Sequence, residues 1–387
     1  MLPYETMIHK KHTFLIMHNS KNEIQSIAFL RGVACLFVTL YHLKSSTPND
    51  SIFYNLFKFG AFGVDLFFMI SGFVIVVATV RDSRVDSFLI KRIFRIYPPL
   101  IAAVVFQIYF NDKPISIGNF FAAIIPLHND YSLKAPDFGF SFLIVAWSIT
   151  FELAFYLLFM ISMLASHKYR AVICAVVITA MVAGSQYYFN GEVNLLYAWA
   201  TPSIPDSNSA LQFMRVFGCS IMLEFIAGMA LAYLYMRTDI KSTALNRSAL
   251  TFIAVASAMY IVPSYLGGYN RGIGLAGYGF WSLLILTTCL LAEKIGVIKW
   301  NSKMIFIGTI SYSLYLFHIP VHELIKSLNP TSFGEIKNNE IKAFCVMSFE
   351  LTASIIVAYI SYILIELPSV SAARALIGKM KRQAVEA

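Results

Sequence analysis

Arg31 and His42 stand eleven residues apart inside the almost wholly apolar stretch FLRGVACLFVTLYHLKS, residues 29–45. At 100° per residue that is three turns plus about 20°, so both project from one face of a helix, roughly 16 Å apart along its axis. Charged and titratable groups are costly at membrane depth and usually mark a site. A neutral imidazole can take a proton from a hydroxyl near pH 7, and a carboxylate can hold its tautomer. Asp65, in FGVDLFFMISGF, or Glu152, in AWSITFELAFY, is available for that role. Arg31 reads as an anion partner; a snorkelling arginine is the plain alternative.

Three further groups carry polar chemistry. KRIFRIYPPL sets Lys91, Arg92 and Arg95 beside Tyr97-Pro98-Pro99, which reads as the opening of a helix, because proline suits a first turn. Arg92 and Arg95 share a face, and two guanidinium forks suit phosphates; plain loop charge is the alternative. Ser148 and Glu152 lie four apart, next to Trp147. Ser311, Tyr315, His318 and His322 fall at 0, 4, 7 and 11 along one stripe, which faces either a bundle interior or a hydrogen-bonded seam. Ser71-Gly72 reads as a close helix contact, and Glu366 as a partner for a basic loop.

The elements that position these residues are membrane helices. The chain has 387 residues, 58% of them hydrophobic and only 13% charged, half the charge of a soluble domain. The first apolar run is too long and too far from the N-terminus for a cleaved signal peptide. Ten runs are near spanning length: 24–43, 61–80, 97–112, 142–164, 170–189, 213–236, 249–266, 272–292, 304–325 and 343–366. The stretch 117–127 is too short and reads as interfacial. The expected fold is an all-α polytopic bundle of about ten transmembrane helices, forming a single domain over 1–387 with its core at 24–366.

The net charge of +9 does not point to nucleic acid, because basic residues concentrate in short connections. With the N-terminus inside, the inner segments hold 20 Lys and Arg (Lys10, Lys11 and Lys21 among them) and the outer ones hold 8, including Lys113 and Arg271. That bias orients the chain N-in and C-in. His42, Asp65, Trp147, Glu152 and His318 then collect in the outer half, and Lys91, Arg92 and Arg95 lie at the inner mouth. The connections near 111–141 and 190–212 are the longest and read as an outer lid or platform. The five cysteines sit in apolar runs without metal-ligand spacing and read as inert thiols. No metal site is expected.

In order along the chain stand Arg31-Gly32-Val33-Ala34 with Tyr41-His42; Gly63-Val64-Asp65 with Phe67-Phe68-Met69-Ile70-Ser71-Gly72-Phe73; Arg92 and Arg95 with Tyr97-Pro98; Trp147-Ser148 with Glu152 and Phe155-Tyr156; and Ser311-Tyr312 with Tyr315 and His318. Together they resemble the acyltransferase family 3 membrane proteins, which O-acylate bacterial surface glycans. The resemblance covers roughly 24–366. It implies a bundle that moves an acetyl or short acyl group from cytoplasmic acetyl-CoA (acyl-CoA) to a hydroxyl of a surface polysaccharide, lipopolysaccharide or other glycan, in the bacterial inner membrane. It implies His42 as catalytic base and Arg31, Arg92 and Arg95 as donor-binding residues. Trp147, Tyr315 and His318 are the expected substrate-binding residues. Some relatives add a C-terminal extracytoplasmic hydrolase-like domain, which is not expected here. Direct attack on the thioester and a covalent acyl-histidine both remain open. A transporter or flippase of lipid-linked glycan is the rival reading.

Overall fold

The computed structural model describes residues 24–110, 115–268, 272–328 and 336–386. Lys10, Lys11, Lys21, Lys113 and Arg271 lie outside the described residues. Fourteen α-helices run in order: α1 Gln25–Leu43, α2 Ile52–Phe57, α3 Phe62–Ala78, α4 Val85–Phe110, α5 Ile117–Ile124, α6 Trp147–Ala165, α7 Arg170–Asn190, α8 Leu223–Arg237, α9 Ala244–Gly267, α10 Tyr278–Ile295, α11 Ser302–Thr309, α12 Ser311–Leu328, α13 Asn339–Ser361 and α14 Leu367–Glu386. No strand occurs among the described residues. Nine helical segments among them are long and apolar enough to cross a membrane. α9 shows the lipid-facing pattern most plainly, with Leu245, Phe252, Met259 and Leu266 all exposed.

The expected ninth run, 304–325, is not one spanning helix. It divides at Ile310 into α11 and α12. Gly308 explains the join: a Cβ there would sit 1.7 Å from Ala28 O, so α11 lies directly on α1. The turn then directs α12 through the middle of the bundle, against α1, α4 and α13. The same close approach couples α3 to α8, where Cβ atoms on Gly72 and Gly228 would meet Phe225 O and Met69 O at 2.1 and 1.9 Å. Gly72 is thus the close contact that the sequence suggests, whereas Ser71 turns to Glu152 instead.

α4 also departs from expectation. It begins at Val85, so Lys91, Arg92 and Arg95 are helical and Pro98-Pro99 lie inside the helix rather than at its start. Pro98 has no N–H for Phe94 O. The Ser369 hydroxyl of α14 donates to that carbonyl, and Tyr312 of α12 donates to Ile96 O at 2.9 Å. A neighbouring helix thereby satisfies the carbonyl that Pro98 frees, as apolar surroundings require.

α13 and α14 form one continuous rod joined by a π turn at Tyr362–Glu366. Asn338 starts it, its side chain accepting from Glu340 N at 2.9 Å and Ile341 N at 3.1 Å. α5 is short and presents Ile117 and Phe121 to the surroundings, which fits an interfacial piece. The two long connections are tied together by Arg215, which donates to Tyr131 O, to Leu133 O at 3.0 Å and to Pro202 O at 3.1 Å. All five cysteines are free and at least partly buried.

Candidate active site

α1, α3, α4, α6 and α12 surround a cavity with about 840 Å³ of empty space, part of it open to solvent. Arg31, Arg92 and Arg95 line it together with Ser71, Glu152, Tyr156, Ser148, Tyr312 and Tyr315. Three guanidinium groups from two helices thus meet one cleft, as the sequence suggests. A second opening shares Arg92 and Arg95 and adds Asp82, Lys91 and Arg374, so the arginine end continues to the surface. There Lys91 and Ser87 both donate to Asp82, at 2.8 and 2.7 Å. Partial burial pushes the Asp82 carboxyl up, but these two bonds outweigh it and hold the pKa at about 2.

Glu152 belongs to this arginine end. Tyr156 donates to it, as does Ser71 at 3.1 Å. The Arg92 guanidinium lies 4.7 Å over the Tyr156 ring and 3.4 Å from its hydroxyl. Glu366 also belongs here rather than with a basic loop. It is 6% exposed, accepts from Ser313 at 2.7 Å, and has Arg95 and Arg31 as its charged neighbours. The π turn delivers it, and such turns recur at functional sites.

At the far wall Tyr315 lines the cavity, its hydroxyl 2.7 Å from Ser148 Oγ. Its ring lies 6.0 Å from that of His318, which lies 5.1 Å from that of His42. His318 Nδ1 is 3.1 Å from Leu314 O, and His42 Nδ1 is 3.0 Å from Val38 O. A carbonyl only accepts, so in neutral rings both Nδ1 atoms carry hydrogen. His318 Nε2 then presents its lone pair to His42 Nδ1–H at 3.1 Å. The lone pair of His42 is left on Nε2, the state a general base requires.

The structure seats neither expected carboxylate on the His42 ring. Asp65 Oδ1 accepts from Gly274 N at 2.8 Å and so ties α3 to the 272–277 turn, while its other oxygen faces Glu224 of α8 without a hydrogen bond. Glu152 is held by Tyr156 and Ser71. His318 takes the place proposed for them. It is fully buried beside His42 instead of in the cavity lining. Trp147 is also a correction. Its ring packs edge-on against Phe151 and Phe68 in the aromatic core, and neighbouring Ser148 faces the cavity. Tyr315 does line the cavity. Reasoning from sequence missed Tyr156, Glu366 and the pairing of the two histidines; the four-residue spacing of His318 from Leu314 and His322 was the available signal for the last.

Residues 24–364 match the family model described as an acyltransferase domain. The chain belongs to the acyltransferase 3 family. It is 24% identical over 379 residues to a Staphylococcus aureus (strain COL) protein provisionally named an O-acetyltransferase, covering 88% of this chain and 56% of that one. It is 25% identical over 301 residues to an exopolysaccharide production protein of Rhizobium meliloti (strain 1021), covering 72% and 80%. A protein of Acidianus two-tailed virus, provisionally named an acetyltransferase, is 27% identical over 320 residues, covering 81% and 87%. The chain spans about half the length of the staphylococcal relatives it matches. No solved structure matches it.

Proposed function

We propose that the protein is a membrane O-acyltransferase that moves an acetyl or short acyl group from acyl-CoA to a hydroxyl of a surface glycan. One observation carries the reading: a cleft lined by three arginines runs to Tyr315, one ring short of a histidine pair whose outer member has a bare Nε2. CoA phosphates suit Arg92 and Arg95, with Lys91 and Arg374 where that end opens to the surface. The pantetheine arm passes Arg31 and Glu152 and brings the thioester towards Tyr315. His42 Nε2 takes the proton of the acceptor hydroxyl as that oxygen attacks the acyl carbon, and the thiolate leaves. Glycan as the acceptor class rests on the family and on the relative named for exopolysaccharide production.

In this reading the chain lies N-in and C-in in a bacterial inner membrane as a single domain, with the arginine end in the cytoplasm. The excess of Lys and Arg on the segments at that end supports the orientation. Purified protein incubated with labelled acetyl-CoA and a saccharide acceptor should move label to the acceptor. His42→Ala should lower the rate by roughly 10²–10⁴, the usual contribution of a general base. Passage of glycan across vesicles without any label transfer would overturn the enzyme reading in favour of a carrier.

A further inference from the structure

Just beyond the two histidines is a group that the reaction above does not use. Ser45 lies in the single 3₁₀ turn Lys44–Ser46 that follows α1, three residues past His42. Its Oγ is 3.1 Å from His322 Nε2. His322 Nδ1 is 3.2 Å from Glu350 Oε2 on α13. Glu350 Oε1 is held by the Ser46 hydroxyl at 3.0 Å. His322 is 6% exposed and Glu350 1%, whereas Ser45 is exposed.

This is the order of a nucleophile, a base and an orienting carboxylate. A carboxylate can only accept, so at 3.2 Å it favours hydrogen on His322 Nδ1, which leaves the Nε2 lone pair for the serine. Buried at ion-pair distance, His322 Nδ1 and Glu350 Oε2 make no hydrogen bond among the described residues, to each other included, so a small rotation of the ring is what closes a bond between them. Ser45 Oγ is also 2.9 Å from His42 O. One rotation of the hydroxyl hydrogen moves it from that neutral carbonyl to the imidazole, and the same bond joins the serine to the His42 turn. A burial pattern that hides the base and its carboxylate but exposes the hydroxyl is unneeded in a packing seam and required of a nucleophile.

We propose that Ser45 is a nucleophile, activated by His322 and Glu350, that carries the acyl group as an ester between the acyl thioester and the acceptor. The inference rests on the acyl-transfer reading and replaces its single displacement with two. First, Ser45 Oγ bonds to the acyl carbon, its proton passes to His322 Nε2, the C–S bond breaks, and the thiolate takes a proton from water at the donor end. Second, the acceptor hydroxyl gives its proton to His42 Nε2 and bonds to the same carbon. The ester C–O bond then breaks, His322 returns its proton to Ser45 Oγ, and His42 releases its own to water. Atoms and charge balance over the cycle.

Two probes of the full-length protein test this. A fluorophosphonate reacts with activated serines without any acyl donor; peptide mapping should find it on Ser45, and His322→Ala or Glu350→Gln should reduce the labelling at least about tenfold. Labelled acetyl-CoA without acceptor should leave one acetyl ester on the Ser45 peptide. Ser45→Ala sits in an exposed turn and should keep acyl-CoA binding, yet lose transfer by roughly 10²–10⁴. Ser45→Ala transferring at the wild-type rate, or fluorophosphonate leaving Ser45 unlabelled, would overturn the proposal while the acyl-transfer reading stands. Ser45 labelled by the probe in a protein that moves no acetyl from acetyl-CoA would instead overturn the donor reading and keep the activated serine.

Discussion

The bare nitrogen of His42 is set by two helix carbonyls, Val38 O and Leu314 O, acting through two rings. Backbone geometry is doing what a carboxylate does in other bases, and it does so without a buried charge. His318→Phe keeps the ring volume and removes the acceptor. It should lower kcat by roughly 10²–10⁴ with little change in KM for acyl-CoA, because the lost group orients the base and does not hold the donor. The arginine end should behave in the opposite way. Arg92→Ala with Arg95→Ala removes two charge-assisted contacts of about 1.5–3 kcal/mol each, so donor affinity should fall at least roughly a hundredfold in a binding assay. Unchanged affinity would reduce the pair to an orientation signal. His42, Arg31 and the arginine pair were legible because charge inside apolar sequence is rare. Their partners were not: Asp65 turns to Gly274 and Glu152 joins the arginine end, because distances across helices depend on rotations that spacing along one helix does not contain.

At the scale of the element, most helices could be read from apolar runs of spanning length, and their close contacts from glycine. Gly72→Val should destabilise the α3–α8 pair by about 1–3 kcal/mol, since its Cβ would fall 2.1 Å from Phe225 O and neither backbone can retreat. Thermal unfolding in detergent checks this. The two helices that departed from expectation share a cause. Pro98-Pro99 looks like a beginning because proline normally needs one, and the hydroxyl of Ser369, distant in sequence, takes up the carbonyl that Pro98 frees in mid-helix. The break at Ile310 carries no proline and follows from how tightly Gly308 meets Ala28. Both are tertiary effects acting on backbone groups, which composition does not record.

The whole molecule adds a surface that the helices alone do not specify. His128, in the first long connection, is enclosed by Tyr131, Phe138 and Phe151, and Arg215 clamps that connection to the second. Burial among the rings lowers the pKa of His128 from 6.5 to about 4. A depressed histidine contributes stability above its unfolded value, and this is lost as pH falls from 6.5 towards 4, by up to about 1.4 kcal/mol per unit. Resistance of residues 125–143 to proteolysis should therefore decline over that window, and His128→Phe should flatten the decline. A wild-type profile without that slope would show that the ring stays hydrated. The clamp joins the two long connections, and neither Arg215 nor His128 stood out in the sequence.

The π turn at Tyr362–Glu366 gives the last rod one residue more than an α-helix of the same length would hold. Excising the exposed Leu364 would restore regular winding and rotate everything after it by about 100°. Glu366 would swing away from Ser313, and Ser369 would abandon the Phe94 carbonyl. A single surplus residue thus acts as a phase shift, aligning a carboxylate with the guanidinium cleft and a hydroxyl with a proline-broken helix at the same time.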